Sequence, residues 1–370
     1  MPAEINRVSC PNCASKSVKK SGVRQNRLQS FQRYFCGQCK KTFTLSGEGN
    51  AKTYPLRVIL GCVSFYNIGH SQAETAGLLN RRFHAEPSQK TISNWIHEYE
   101  PVCTFAKLRA GAVRLFGPKE IIESHEFMHN NLPYKFMVHR AKMELLFRDE
   151  RYNNKFSDIT RLEKPLKQYF AKITSKEFPR HIFAPKEEEE KLDRSSQVRY
   201  ETLPFVKKGK NNLANRLCGL ALNLAKSNKE RHGAVQEFML TNDSSTVACE
   251  VPVYLTNDDI AYFRQRGFEM PFPEEQKTPI TGHIDVVQVR NGQVHILDYK
   301  PEAQKINAVN QLTTYALALA SRTKLMVKDF LCAWFDDQNY YEFAPLHAVY
   351  RKRERQTPEA RALAMPSSLP

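Results

Sequence analysis

Aspartate is absent from the first 118 of the chain's 370 residues, where 17 Lys and Arg stand against 6 Glu. That local surplus of 11 positive charges points to a polyanionic partner. Nucleic acid is the first candidate, because phosphate contacts release counterions and dominate affinity. The whole chain carries a formal net charge of +16. Long apolar runs are missing too: no stretch of about eighteen residues suits a membrane span, and no basic-then-apolar leader opens the chain. A membrane partner is therefore not expected, and the expected location is cytoplasmic, associated with the nucleoid. Cysteine is scarce and odd in number, nine in all. Four of the nine form two tight pairs, which fits metal binding in a reducing interior better than a secreted disulfide framework.

What is present begins with those pairs. Cys10-Pro11-Asn12-Cys13 and Cys36-Gly37-Gln38-Cys39 are Cys-x-x-Cys knuckles separated by 22 residues. Each offers two sulfurs to one side of a tetrahedral Zn²⁺, and together they close its shell, as in a structural site. Lys19, Lys20, Arg24, Arg27 and Arg33 lie in the same stretch, interleaved with Phe31, Tyr34 and Phe35. The segment over residues 8–45 resembles the zinc ribbon at the N-terminus of insertion-sequence transposases, through Ser9–Cys13 and Gln32–Phe43.

Downstream, Tyr54–Asn67 reads as an apolar helix. Ser71 with Glu74 three residues on is a capping box that opens a second helix. After an Arg81–Pro87 connector, a third helix begins near Ser88. Its apolar stripe is Ile92, Trp95, Ile96 and Tyr99, and Gln89, Lys90, Thr91, Ser93 and Asn94 stand on its exposed N-terminal face. The pattern looks like a helix-turn-helix whose last helix enters the major groove. Tyr134–Phe147 and Leu162–Ile173 have helical character, Glu187–Glu190 reads as a solvated acidic loop, and Lys207–Asn212 as a linker. His125, His129, His139 and His181 are scattered and receive no role.

The C-terminal half carries the chemistry. Leu213–Lys226 and Arg231–Leu240 read as helices, Val247–Tyr254 as a strand, and Ala308–Ala320 as a helix with Gln311 and Tyr315 on one face. Between Gly282-His283-Ile284-Asp285-Val286-Val287 and Ile296-Leu297-Asp298-Tyr299-Lys300 lies Asn291-Gly292, a strong two-residue hairpin signal. If that turn closes, Arg290 faces Gln293, Asp285 faces Asp298 and His283 faces Lys300. Residues two apart share a face, so Asp298 and Lys300 point the same way. Opposed carboxylates destabilise a strand pair. A divalent cation removes that penalty, and Mg²⁺ takes such hard oxygen ligands.

These residues, with His232, Cys249-Glu250-Val251-Pro252 and Gln311–Tyr315, resemble the PD-(D/E)xK nuclease superfamily over about residues 213–335, nearest its RecB-like and CRISPR-associated exonuclease branch. The resemblance implies that Asp285, Asp298 and His232 ligate Mg²⁺ or Mn²⁺. It also implies that Lys300 orients or activates the attacking water and stabilises charge on the phosphate. Glu250 takes the family's upstream acidic position, and Gln311 and Tyr315 support DNA and the site. Members of that branch often hold an iron–sulfur cluster on four cysteines. Here only Cys218, Cys249 and Cys332 are at hand, widely spread, so no cluster is expected and the three read as small buried hydrophobes.

The expected architecture is α+β and multidomain. It has a zinc ribbon (1–48), a helical helix-turn-helix domain (49–118) and a helical linker region (119–212). An α/β restriction-endonuclease-like domain with a mixed central sheet (213–350) and a basic mobile tail (351–370) follow. The expected function is metal-dependent cleavage of duplex DNA, directed by the basic front, in a mobile-element or defence setting by analogy. Two alternatives stand beside it: a sequence-specific DNA-binding regulator with an inactive nuclease fold, and an RNA-processing nuclease.

Overall fold

Two residues in the left-handed region, Asn291 (φ 51°) and Gly292 (φ 75°), close the two-residue turn the sequence predicts. Asn and Gly reach that region at the lowest steric cost, and both central positions of a type I′ turn require it. The computed structural model describes residues 8–25, 30–44, 54–148, 159–184, 198–200, 205–209, 211–273 and 278–350. The acidic run Glu187–Glu190 and the basic tail 351–370 lie outside the described residues.

Three short strands, β1 (Val18–Gln25), β2 (Ser30–Cys36) and β3 (Thr42–Thr44), form an antiparallel sheet beside the cysteine knuckles. Three helices follow: α1 (Leu56–Asn67), α2 (Gln72–Phe83) and α3 (Gln89–Tyr99). The capping box is present, with Glu74 N–H donating to Ser71 Oγ at 3.2 Å and Ser71 N–H donating to Glu74 Oε2 at 2.8 Å. Residues 81–83 belong to α2, which ends at left-handed His84, and Ser88 caps α3, so the connector is shorter than expected. Val58, Ile59, Cys62, Leu79, Ile92 and Trp95 pack between the three helices.

The stretch 119–212 differs most from expectation. After α4 (Ala106–Leu115) come β4 (Ile122–His129) and β5 (Leu132–His139), then α5 (Arg140–Leu145) and α6 (Thr160–Thr174). Tyr134–Phe147 is therefore a strand as far as His139 and a helix only beyond it. Asn130 and Asn131, at φ 50° and 61°, turn the hairpin, and pairing across the sheet overrides the local helical pattern. The expected linker at 207–212 supplies β6 (Lys207–Gly209). The remaining elements are α7 (Leu213–Ala221), shorter than expected, α8 (Arg231–Asn242), β7 (Thr246–Leu255), α9 (Asn257–Gln265), β8 (Ile280–Arg290), β9 (Gln293–Tyr299), α10 (Val309–Thr323), β10 (Phe330–Phe335), β11 (Tyr340–Phe343) and α11 (Leu346–Val349).

Eight strands make one mixed sheet in the order β4-β5-β7-β8-β9-β10-β11-β6. Only β9 and β10 run parallel, and α10 connects them, because parallel neighbours need a long crossover where antiparallel ones need only a turn. One apolar cluster gathers residues of α6, α9 and α10, and a second gathers residues of α1, α7 and α8. The helical front is thus fastened to the sheet unit through α1. Asn67 Nδ2 donates to Asn242 Oδ1 at 2.9 Å, and Asn242 Nδ2 donates to Ser64 Oγ at 3.0 Å. Within the sheet unit a further tie is Lys142 of α5, fully buried, whose Nζ donates to Leu240 O at 2.6 Å and Thr246 O at 2.9 Å and pairs with Asp243 at 3.5 Å. A buried ammonium persists only when its donors are satisfied this fully.

Candidate active site

Three carboxylates lie on three adjacent strands at nearly one level. Cys249 pairs with Val286 and Val251 with Ile284, so Glu250 of β7 stands level with Asp285 of β8. Val286 pairs with Leu297, which sets Asp285 level with Asp298 of β9. The recorded β8–β9 ladder stops there. Beyond it the backbone of Lys300 turns to β10, its N–H donating to Phe335 O at 2.9 Å. The expected pairing of His283 with Lys300 lies beyond that ladder; on its other edge β8 pairs His283 with Pro252 of β7.

The row sits where strand alternation slips. Cys249 and Val286 pack with α7 and α8, while Val251 and Ile284, two residues away, pack with the α10 side. Glu250 absorbs the slip with φ 51°, a conformation costly for a non-glycine residue and concentrated at functional sites. β7 is an interior strand, yet Pro252 is tolerated because the β5–β7 pairing covers only Cys249 and Ala248, so no ladder donor is lost.

Helix α8 overlooks this row. His232 and Gln236, one turn apart, share a face. Gln236 Nε2 donates to Glu250 Oε1 at 2.7 Å, and His232 Nε2 lies 3.7 Å from Asp285 Oδ2. One ligand atom each from His232, Asp285 and Asp298 falls within 4.8 Å of the others. Lys300 Nζ is 2.8 Å from Asp298 Oδ2, and Asp285 accepts the Tyr299 N–H at 3.2 Å. Gln311 and Tyr315 of α10 join each other at 3.0 Å. They line a cavity of about 400 Å³ together with His232, Glu250 and Asp285. Its other wall was not foreseen as functional: His129 and Tyr134 of the β4–β5 hairpin, with His283.

Burial, then the neighbouring Asp298 and Glu250, raises Asp285 well above the ordinary carboxylate range. Burial also raises Glu250, against the Gln236 hydrogen bond. His232 is lowered, chiefly by burial, and so favours the neutral imidazole that ligates metals. Burial alone lowers Lys300, but Asp298 beside it reverses the sign, and the amine is held protonated. Crowded carboxylates, a neutral imidazole and an adjacent cation form a donor set that fits one divalent ion. The carboxylates suit Mg²⁺ or Mn²⁺, and the imidazole tips the set toward Mn²⁺.

A stability test follows from the sign of the Asp285 shift. A carboxyl raised on folding holds more protons in the folded state, so metal-free stability falls as pH rises from the ordinary carboxylate range toward the raised value. Asp285→Asn is expected to raise Tm at pH ~8 in chelator by about 1–2 °C, the shift that about 1 kcal/mol produces in a chain of this length, and to gain little near pH ~4. Thermal melts at both pH values check this. A lower Tm for the variant at pH ~8 would contradict it.

At the front, Cys10 Sγ and Cys39 Sγ lie 3.6 Å apart, as do Cys13 Sγ and Cys36 Sγ, and the four form one cluster able to hold a metal ion. The Cys39 N–H, donating at 3.5 Å, leads the effects that bring the Cys36 thiol down to about 6. Lys19, Lys20 and Arg33 are exposed, as are Gln89, Lys90, Ser93 and Asn94, whereas Thr91 is half-buried and its hydroxyl lies 2.9 Å from Ser88 Oγ. The Arg24 side chain lies outside the described residues. Cys218, Cys249 and Cys332 are buried. No described helix is long and apolar enough to cross a membrane.

A family model described as the PD-(D/E)XK nuclease superfamily matches residues 143–362. No curated protein and no solved structure matches the chain.

Proposed function

The chain belongs to the PD-(D/E)XK nuclease superfamily, and from that premise we propose that it is a metal-dependent deoxyribonuclease directed to duplex DNA by its basic front. Membership makes nucleic acid the substrate and a divalent ion the helper. The observation that carries the finer reading is the row of Glu250, Asp285 and Asp298 with His232 above it and Lys300 at its end.

In this reading Asp285, Asp298 and His232 hold Mg²⁺ or Mn²⁺. The bound ion supplies Lewis-acid charge for the phosphoryl oxygens. Lys300, kept protonated by Asp298, serves as a cation beside the scissile phosphate and not as a base. Gln236 fixes the strained Glu250, which leaves that carboxylate's other oxygen for water or metal. The Gln311–Tyr315 pair forms the rim on the α10 side.

The front supports DNA as the target. Four clustered thiols suit Zn²⁺, and three helices, two of them capped by Ser71 and Ser88, present Gln89, Lys90, Ser93 and Asn94 on one exposed helix start, as a groove-reading helix requires. A cleft of about 1140 Å³ between α1–α2 and α8 is lined by Arg57, Arg82, Lys226 and Lys229, none of which makes an ion pair with a described residue. Phosphates passing along that cleft would reach α8, whose opposite face carries His232. A mobile-element or defence role rests on the transposase-like ribbon alone.

Cutting of labelled linear duplex, circular duplex, single-stranded DNA and RNA, each with Mg²⁺ or Mn²⁺, tests the reading. Metal-dependent cutting of DNA is expected, with activity on circles identifying an endonuclease. Retained DNA binding without turnover on any substrate would favour a regulator. Preference for RNA would favour an RNA-processing enzyme.

A further inference from the structure

The β4–β5 hairpin meets the acids with its tip. Its turn is Asn130-Asn131, and beside the turn His129 pairs with Leu132 and Met128 with Pro133. Paired residues share a face and neighbours alternate, so Leu132 stands on one side of the tip and Met128 with Pro133 on the other. Leu132 is 55% exposed and Met128 56%, and Pro133 is exposed as well. Single exposed apolar side chains are ordinary, but three gathered at one turn mark a contact surface. The tip is also firmly held. Asn130 N–H donates to Phe183 O at 3.0 Å, His129 Nε2 lies 3.0 Å from Thr281 Oγ1, and Phe127 meets Phe178 and Phe183 edge-on at 5.6 and 4.9 Å.

What the tip contacts follows from where it stands. Asn130 and Leu132 line the same cavity as Glu250, Asp285 and His232, so whatever the acids cut passes Leu132. Asp298 is buried and Glu250 and Asp285 are half-buried. The cavity above them, of about 400 Å³, lies near the lower end of the ligand-pocket range. One strand fits that space and a duplex does not. A duplex therefore has to open before one of its phosphates reaches the acids. Apolar wedges of Leu, Met or Pro are what proteins insert between base steps to unstack them.

We propose that the hairpin tip is a strand-separating wedge. Leu132 packs on the last base pair of a duplex end or fork, one strand passes into the cavity, and Met128 and Pro133 face the other strand. The inference rests on the nuclease reading and deepens it, naming the substrate as a duplex with an end or a fork.

Two measurements on the full chain test the wedge. Leu132→Ser is made alone and together with Met128→Ser, both at exposed positions, and thermal melts check that the fold is kept. Cutting rates with Mn²⁺ are then compared on a blunt linear duplex and on the same duplex with a forked end. The forked-to-blunt ratio is expected to rise about tenfold or more in the double variant, because unstacking one step costs more than the free energy behind a tenfold change. Without turnover, duplexes carrying a fluorescent adenine analogue that brightens on unstacking, at the terminal pair or at an internal one, are titrated in Ca²⁺. Wild type is expected to brighten the terminal probe, and the double variant to bind without doing so. An unchanged cutting ratio, no brightening by wild type, or the same brightening by both chains overturns the proposal. Absence of cutting on any DNA, alongside a brightening that the variant loses, would instead reject the nuclease reading and leave the wedge standing.

Discussion

Asp298→Ala is expected to slow phosphodiester cutting by about a thousandfold or more, and Lys300→Ala by about a hundredfold or more. The first figure corresponds to about 4 kcal/mol of barrier, within the several kcal/mol that a metal supplies as a Lewis acid. The second is the lower end of what removing one preorganised charge costs. The Asp298 side chain is 3% exposed and that of Lys300 23%, so water cannot replace either group. Truncating Asp298 also strands a partly buried ammonium, and Asp298→Asn therefore serves as the companion variant that keeps volume. Single-turnover cutting with Mn²⁺, beside DNA affinity in Ca²⁺, separates chemistry from binding. The expected pattern is lost cutting with affinity within a few-fold of wild type. Cutting by Asp298→Ala within tenfold of wild type would remove Asp298 from the centre.

Much of that centre was readable in the sequence because it is local. Asp285 and Asp298 flank a turn whose two residues have only one low-cost conformation, so the register of five strand pairs follows from Asn291-Gly292. Glu250 and His232 could be placed only by family resemblance, since their position depends on β7 pairing with β8 and on α8 docking over both. The β4–β5 hairpin was missed for a physical reason. Asn130-Asn131 reaches the left-handed region less readily than Asn-Gly, and β4 alternates apolar residues with His and Glu too weakly to mark a strand. Its fixing contact, Met137 with Cys249, spans more than a hundred residues. A signal did exist: Asn-Asn between His129 and Leu132 is a two-residue turn candidate, and reading it would have brought Tyr134 and His129 toward the site. Lys300 marks the reverse limit: it follows the last residue of β9, and its backbone is held by Phe335 of β10, which a hairpin register does not foretell.

Cys36→Ser is expected to abolish zinc binding, leaving none per chain where wild type holds one, and to weaken DNA binding by about tenfold or more at physiological salt. A tetrahedral ion with Zn–S bonds of about 2.3 Å places its sulfurs roughly 3.8 Å apart, and the two close Sγ pairs stand at 3.6 Å. The ribbon has three strands, and among the described residues its only buried apolar ones are Cys10 and Cys36, so a bound metal would supply most of its folding energy. The rest of the chain is not expected to depend on it, because among the described residues no buried member of the three apolar clusters precedes Val58. Loss of zinc should therefore unfold the ribbon alone. Helix content and the main thermal transition should remain, while the phosphate contacts of Lys19, Lys20 and Arg33 disappear. Each lost contact also flattens the dependence of log affinity on log salt by about 0.9 for duplex DNA, which distinguishes lost phosphate contacts from a general loss of fold. Metal content by mass spectrometry, with binding at several salt concentrations, reads both effects. Zinc retained by the variant, or an unchanged salt slope, would mean that the ribbon neither closes on this cysteine nor grips the backbone.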